Sequence, residues 1–189
     1  MEVAEFARVV AVGLGRAVLH LQAHDAAPYR DTILHACLHN MVYDTQVEYG
    51  REQYLFDLIS LTGEADFYRE RLCAALPATH EPRDRDQIAA LLRLFAQAGD
   101  DASRAALYGA FTAASGEEAA ALGDRIVELD GVSGLLFVAR HLTASDCKPG
   151  CVGNLVSLAK EKDGLEVVAR ALAEAGATDA RVAAFAAAA

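Results

Sequence analysis

The sequence predicts an all-α protein, built as a right-handed α-solenoid of about five antiparallel helix pairs with no sheet. Three observations support this prediction. Alternation of apolar and polar residues, as in strands, is almost absent. Helix-forming Ala, Leu, Arg and Glu dominate between breakers, and glycines interrupt these segments at nearly constant spacing. The chain has 189 residues, 53% of them hydrophobic and 23% charged, which suits a single globular repeat domain spanning 1–189.

Four glycines recur with a period typical of helical repeats. Gly63, Gly99, Gly131 and Gly164 are 36, 32 and 33 residues apart, and an amphipathic segment lies on either side of each. One two-helix unit cannot bury its own apolar faces, so such units stack on their neighbours. Gly63, in the stretch LTG, is placed for a left-handed cap at a helix C-terminus. A compact helical bundle in which the glycine spacing is accidental is the alternative.

The helix pairs follow from apolar spacing and from the breakers at their ends. The first helix carries an apolar stripe from Val3 to Leu21, and Pro28 is placed to open a second helix that runs to about Val42. The predicted pairs are about 3–42, 51–76, 86–114, 117–142 and 154–175, followed by a final helix at 179–189.

The final helix, ARVAAFAAAA, has no partner helix and no closing polar face. Because solenoids normally end in a polar capping unit, we expect this helix to be the remnant of a longer solenoid or to pack against another copy. Self-association through the C-terminal helix is therefore part of the prediction, and a frayed alanine tail is the alternative.

The glycine turns at 63, 99, 131 and 164, with their flanking amphipathic helices, resemble HEAT-like repeats over most of the chain. This resemblance implies a scaffold whose concave row of helices binds a protein partner. The HEAT-like di-iron hydroxylase uses repeated His-Glu dipeptides as ligands, whereas this chain has one, His80-Glu81. One dipeptide is too few to supply the ligands of a di-iron site, so the resemblance does not imply the hydroxylase activity. No other arrangement of catalytic residues is found, and the chain is predicted not to be an enzyme.

Charge and composition restrict the partners. The formal net charge is -10 and only three lysines occur, which argues against nucleic acid and anionic membranes as ligands. No stretch approaches the roughly 20 apolar residues of a membrane span, and acidic residues precede the first apolar run, unlike a secretory signal. We therefore expect a cytoplasmic protein. Its Ala-rich composition and its preference for Arg over Lys suggest a bacterial source.

The stretch HACLHN contains the best candidate for a metal site. On a helix, His35 and His39 share one face while Cys37 points to the opposite side, so we expect Cys37 to be a core residue. Another pair, His20 and His24, precedes the turn of the same hairpin. A zinc or copper site formed by these four histidines is the alternative function, while the preferred interpretation is hydrogen-bonded or exposed histidines and no cofactor.

Tyr and Arg side chains provide the candidate partner-binding residues, because both types are enriched where proteins bind one another. Some lie in the stretch YDTQVEYGREQY, and the others lie on helices that follow the repeated glycines. The candidates are Tyr43, Tyr49, Arg51, Tyr54, Arg71, Arg104, Tyr108, Arg140 and Arg170. The alternative is that the tyrosines pack the join between two pairs and that the arginines are simply solvated. The predicted function is a non-enzymatic protein–protein interaction scaffold, as a module of a larger assembly.

Overall fold

The computed structural model describes residues 29–40, 51–141, 159–160 and 164–174. No residue in these ranges forms a strand, so the all-α prediction is confirmed for them. The helices are α1 (Arg30–Leu38), α2 (Arg51–Thr62), α3 (Ala65–Ala75), α4 (Pro82–Gln97), α5 (Asp101–Ala113), α6 (Gly116–Asp130), α7 (Val132–His141) and α8 (Leu165–Glu174). None of these helices is both long enough and apolar enough to cross a membrane.

Contacts divide the chain into two compact units, 1–104 and 105–189. In the first unit, α4 packs against α1, α2 and α3. The run Ile88–Leu92 at its centre is at most 1% exposed at every position. Five consecutive buried positions cover every side of a helix, so this part of α4 has neighbours all around it and lies at the centre of the unit.

The contact between α1 and α4 joins helices of the first and third predicted pairs. Regular solenoid stacking needs contacts only between neighbouring repeats, so this contact departs from that scheme. It is the kind of contact that the bundle alternative predicts. It also agrees with an irregular first pair, since terminal repeats are often atypical.

Helix α1 ends at Leu38 because α4 binds its C-terminal end. The side-chain amide of Gln87 donates to the carbonyls of Ala36 and Cys37, at 2.8 and 2.7 Å. These carbonyls belong to the last turn of a helix, which has no partners within the helix itself. The expected continuation to about Val42 is wrong, since His39 is already extended at φ -124° and ψ 122°. Cys37 is fully buried, which confirms the expectation of a core cysteine.

The turn between α2 and α3 contains Gly63 at φ 68°, which confirms the left-handed cap expected there. The turn before α5 contains Gly99, also at positive φ, followed by Asp100. The Asp100 carboxylate accepts a hydrogen bond from the backbone N–H of Ser103 at 2.6 Å. This is the standard side-chain cap of a helix N-terminus.

In the second unit, α7 packs against α6 and against α8. Ile126, Val127, Leu135 and Val138 are buried here. Gly134 allows the backbones of α6 and α7 to approach closely, since a Cβ at this position would lie 2.5 Å from the carbonyl oxygen of Ile126. Only hydrogen fits in that space, so the residue at position 134 determines how closely the two helices pack.

Candidate interaction surface

Phe67 on α3 lies beside two guanidinium groups. The Cζ atom of Arg30 is 4.6 Å from the centroid of the Phe67 ring, and that of Arg71 is 5.5 Å away. Both distances fall within the roughly 6 Å over which a cation is attracted to an aromatic ring. Phe67 and Arg71 share a helix face because they are one turn apart. Arg30 is the first residue of α1. We call Arg30, Phe67 and Arg71 the cation–aromatic cluster.

The two arginines of this cluster differ in their electrostatic partners. Arg30 pairs with Glu64, Nη1 to Oε1 at 3.6 Å, and lies 3.9 Å from a carboxylate oxygen of Asp31. Arg71 is exposed, and no described carboxylate lies within salt-bridge distance of it. Its positive charge therefore faces solvent on a chain whose net charge is -10.

Exposed apolar side chains occur on α2 of the same unit. Tyr54 is 58% exposed and Leu61 is 40% exposed. Two positions seven residues apart lie on the same side of a helix, so both belong to the outer face of α2. Leu55, Leu58 and Ile59 are buried on the inner side. Tyr54 thus does not pack into the core of the first unit.

A second aromatic group lies in the other unit, on the part of α5 after residue 104 and on α7. The Tyr108 hydroxyl donates to Asp130 Oδ2 at 2.6 Å, and its ring centroid is 4.4 Å from that of Phe137. His141 stacks on the other end of this group, with its centroid 4.1 Å from that of Phe137. Its Nδ1 lies 2.8 Å from the Phe137 carbonyl, so Nδ1 donates the hydrogen. Tyr108 is thus held in one orientation by an acceptor and by a neighbouring ring.

The predicted binding residues differ in their surroundings. Tyr43 and Tyr49 lie outside the described residues, and Arg51 is the first residue of α2. Tyr54, Arg71, Arg140 and Arg170 are exposed, whereas Arg104 and Tyr108 are half-buried. Arg170 pairs with Glu166 one turn earlier, at 3.3 Å. Phe67 and Arg30 were not among the predicted residues, although the spacing of Phe67 and Arg71 is visible in the sequence.

Arg69 and Cys73 on α3 form a polar cluster with Asp100 and Ser103 at the start of α5. This cluster stabilises the fold. Burial of the Asp100 carboxylate favours its neutral form, but hydrogen bonds from Ser103 and the nearby Arg69 guanidinium outweigh that effect and lower the pKa of Asp100. Burial raises the pKa of the neighbouring Cys73 thiol. Since the thiolate is the reactive form, Cys73 is a poor nucleophile.

His35 and His39 lie on one side at the end of α1 and Cys37 on the other, as helical periodicity predicts. His35 and His39 are exposed, with ring centroids 4.6 Å apart, while Cys37 between them is buried. His39 Nδ1 lies 3.1 Å from Asp84 Oδ2. His20 and His24 lie outside the described residues. In the described part of the chain, no three or more His, Cys, Asp or Glu side chains are grouped as metal ligands.

Comparison with known proteins yields no match among family models, curated proteins or solved structures. The candidate surface is therefore defined by its geometry alone. Its main features are a solvent-facing guanidinium, an aromatic ring beneath it and a second guanidinium whose charge is already balanced.

Proposed function

We propose that this chain is a non-enzymatic protein-interaction module and that the cation–aromatic cluster is part of its contact surface. The exposed Arg71 guanidinium beside Phe67, with no described carboxylate to pair with it, is the observation that carries this proposal. Arginine and aromatic side chains contribute a large share of binding energy at protein interfaces. A ring that fixes an arginine in place lowers the entropy lost when a partner binds it.

The partner that fits this cluster presents a carboxylate next to apolar surface. A planar guanidinium binds a carboxylate through two parallel hydrogen bonds, which a lysine ammonium cannot do. Arg30 is already paired with Glu64, so Arg71 is the group left to bind the incoming charge. The whole chain has a net charge of -10 and therefore repels a partner that is acidic overall. The expected partner carries an acidic group only at the point of contact.

Several broader features belong to the same proposal. These are the stacking of the helices as a HEAT-like solenoid, membership of a larger assembly, a cytoplasmic location and a bacterial source. Self-association through 179–189 is also proposed, and this segment lies outside the described residues. The glycine spacing and the all-helical character of the described part support the solenoid.

Site-specific photo-crosslinking in the native host tests the proposal. Ala74 is exposed and lies on the Phe67 side of α3, two turns further on, so a benzoyl-phenylalanine there reports what approaches the cluster. Gln97, exposed at the end of α4, is the matched control position. We expect a discrete protein adduct from position 74 and none from position 97. Equal adducts from both positions, or none from either, would contradict the proposal.

A further inference from the structure

His35 and His39 form a pair of exposed imidazoles one helical turn apart. Their ring centroids are 4.6 Å apart and their planes are inclined by 52°. The His39 side chain is 51% exposed. Cys37 faces the core, so it does not take part in this pair.

The separation of the rings matches that of two imidazoles on one metal ion. A metal–nitrogen bond of about 2.0–2.1 Å places the ring centroid about 3.2 Å from the metal when the metal lies on the ring axis. Two such rings at nitrogen–metal–nitrogen angles of about 90–110° have centroids about 4.5–5.2 Å apart. The observed 4.6 Å lies within this range.

Asp84 holds His39 in an orientation that suits metal binding. Its Oδ2 accepts a hydrogen bond from Nδ1 of His39 at 3.1 Å, so the lone pair of the neutral ring is on Nε2. Its Oδ1 accepts the backbone N–H of Asn40 at 2.6 Å, which fixes the carboxylate. A carboxylate that holds the second ring nitrogen of a histidine is the usual support of metal-binding histidines, because it fixes the tautomer and raises the basicity of the ligand.

We propose that His35 and His39 bind one divalent transition-metal ion, with Asp84 as the positioning residue for His39. Nε2 of His39 and a ring nitrogen of His35 occupy two neighbouring coordination positions, and water fills the others. Cu²⁺ is expected to bind more tightly than Ni²⁺ or Zn²⁺, as the general stability order of divalent metals predicts. This site is independent of the cation–aromatic cluster and of the proposed interaction function.

Calorimetric titration of the full chain with CuCl₂, NiCl₂ and ZnCl₂ tests this site. We expect one equivalent of metal to bind, and we expect His35→Ala and His39→Asn each to weaken binding at least about tenfold, since each removes one of two protein ligands. The asparagine amide of the second variant can take the place of Nδ1 and donate to Asp84, so this contact at the end of α1 is kept. Asp84→Asn leaves both imidazoles in place. It is expected to weaken metal binding about tenfold, because the carboxylate that holds His39 is lost.

His80, exposed outside this site, provides the matched control. His80→Ala is expected to bind metal as the wild type does, and so is the double variant His20→Ala/His24→Ala. Far-UV circular dichroism verifies that every variant is folded. Unchanged binding in His35→Ala would overturn the proposal, as would a loss in His80→Ala equal to that in His35→Ala. Binding that is abolished in the His20/His24 double variant would overturn it too.

Discussion

The guanidinium of Arg69 on α3 donates to the carboxylate of Asp100 in the turn before α5, Nη1 to Oδ1 at 3.0 Å. The two residues are 31 positions apart in the sequence. The other oxygen of the same carboxylate accepts the N–H of Ser103. The Asp100 side chain therefore caps the N-terminus of α5 and also binds Arg69 of α3. Substitution of Asp100 can separate these two roles.

Replacing Asp100 separates its capping role from its charge. Asp100→Ala removes both the cap and the ion pair, and we expect the free energy of unfolding to fall by about 1–2 kcal/mol. Asp100→Asn retains a good capping side chain and loses only the charge, so the expected loss is smaller, below about 1 kcal/mol. Urea denaturation at pH 7 measures both variants. Equal losses in the two would show that the cap contributes nothing.

The Asp100 carboxylate also predicts that the protein becomes less stable at acidic pH. The folded state lowers the pKa of Asp100, so its ionised carboxylate stabilises the protein above the ordinary aspartate pKa of about 3.9. That contribution is lost as the pH falls through the lowered folded value. The stability advantage of wild type over Asp100→Asn is therefore expected to shrink between pH 5 and pH 2, measured by urea midpoints. An advantage that stays constant over this range would show that the folded state does not lower the pKa of Asp100.

Tyr68 predicts a loss of stability in alkali. It is fully buried, and burial raises its pKa to about 12, with its hydroxyl 3.4 Å from the Arg30 carbonyl. The neutral phenol is favoured in the folded state, so this contribution is complete below pH 10 and is lost as the pH rises from 10 through 12. The loss is on the order of 2 kcal/mol.

Tyr68→Phe provides the comparison for this effect, since phenylalanine does not titrate. We expect the variant to be less stable at pH 8 by about 1 kcal/mol, because it loses a hydrogen bond. The difference should shrink or reverse by pH 11, as wild type alone loses stability through this group. Guanidinium unfolding curves at pH 8, 10 and 11 measure it, and parallel losses in both proteins would refute it.

Two glycines within helices should respond oppositely to alanine. At Gly134 a Cβ would collide with the Ile126 carbonyl, so Gly134→Ala is expected to destabilise the chain by about 1–3 kcal/mol. At Gly109 in α5 nothing lies within 4 Å of the added Cβ. Gly109→Ala is therefore expected to be stabilising by up to about 1 kcal/mol through helix propensity. Thermal unfolding of both variants measures the difference, and a melting temperature of Gly134→Ala that is unchanged or raised would disprove the close approach of α6 and α7.

Local patterns in the sequence predict the local features correctly. Cys37 is buried while His35 and His39 are exposed, because residues two apart on a helix face opposite sides. Gly63 adopts positive φ where the stretch LTG predicts a helix cap. Both follow from helix geometry within a few residues and need no knowledge of tertiary packing.

Features that depend on distant residues were not predictable. The end of α1 at Leu38 depends on Gln87 and Asp84 of α4, which are more than 40 positions from the groups they bind. Arg30 joins Phe67 only because α1 packs near α3, and no periodicity indicates that contact. The spacing of Phe67 and Arg71 was visible, but it could not show that Arg71 has no described carboxylate partner.

The yield of the crosslinked adduct from position 74, measured in Arg71 variants, shows whether Arg71 binds the partner. Arg71 is exposed, so Arg71→Glu should alter the free energy of unfolding by less than about 0.5 kcal/mol. We expect the adduct to be lost with Arg71→Glu and to be reduced with Arg71→Lys, which keeps the charge without the planar group. An adduct that forms at wild-type yield in the Arg71→Glu chain would show that Arg71 does not contribute to partner binding.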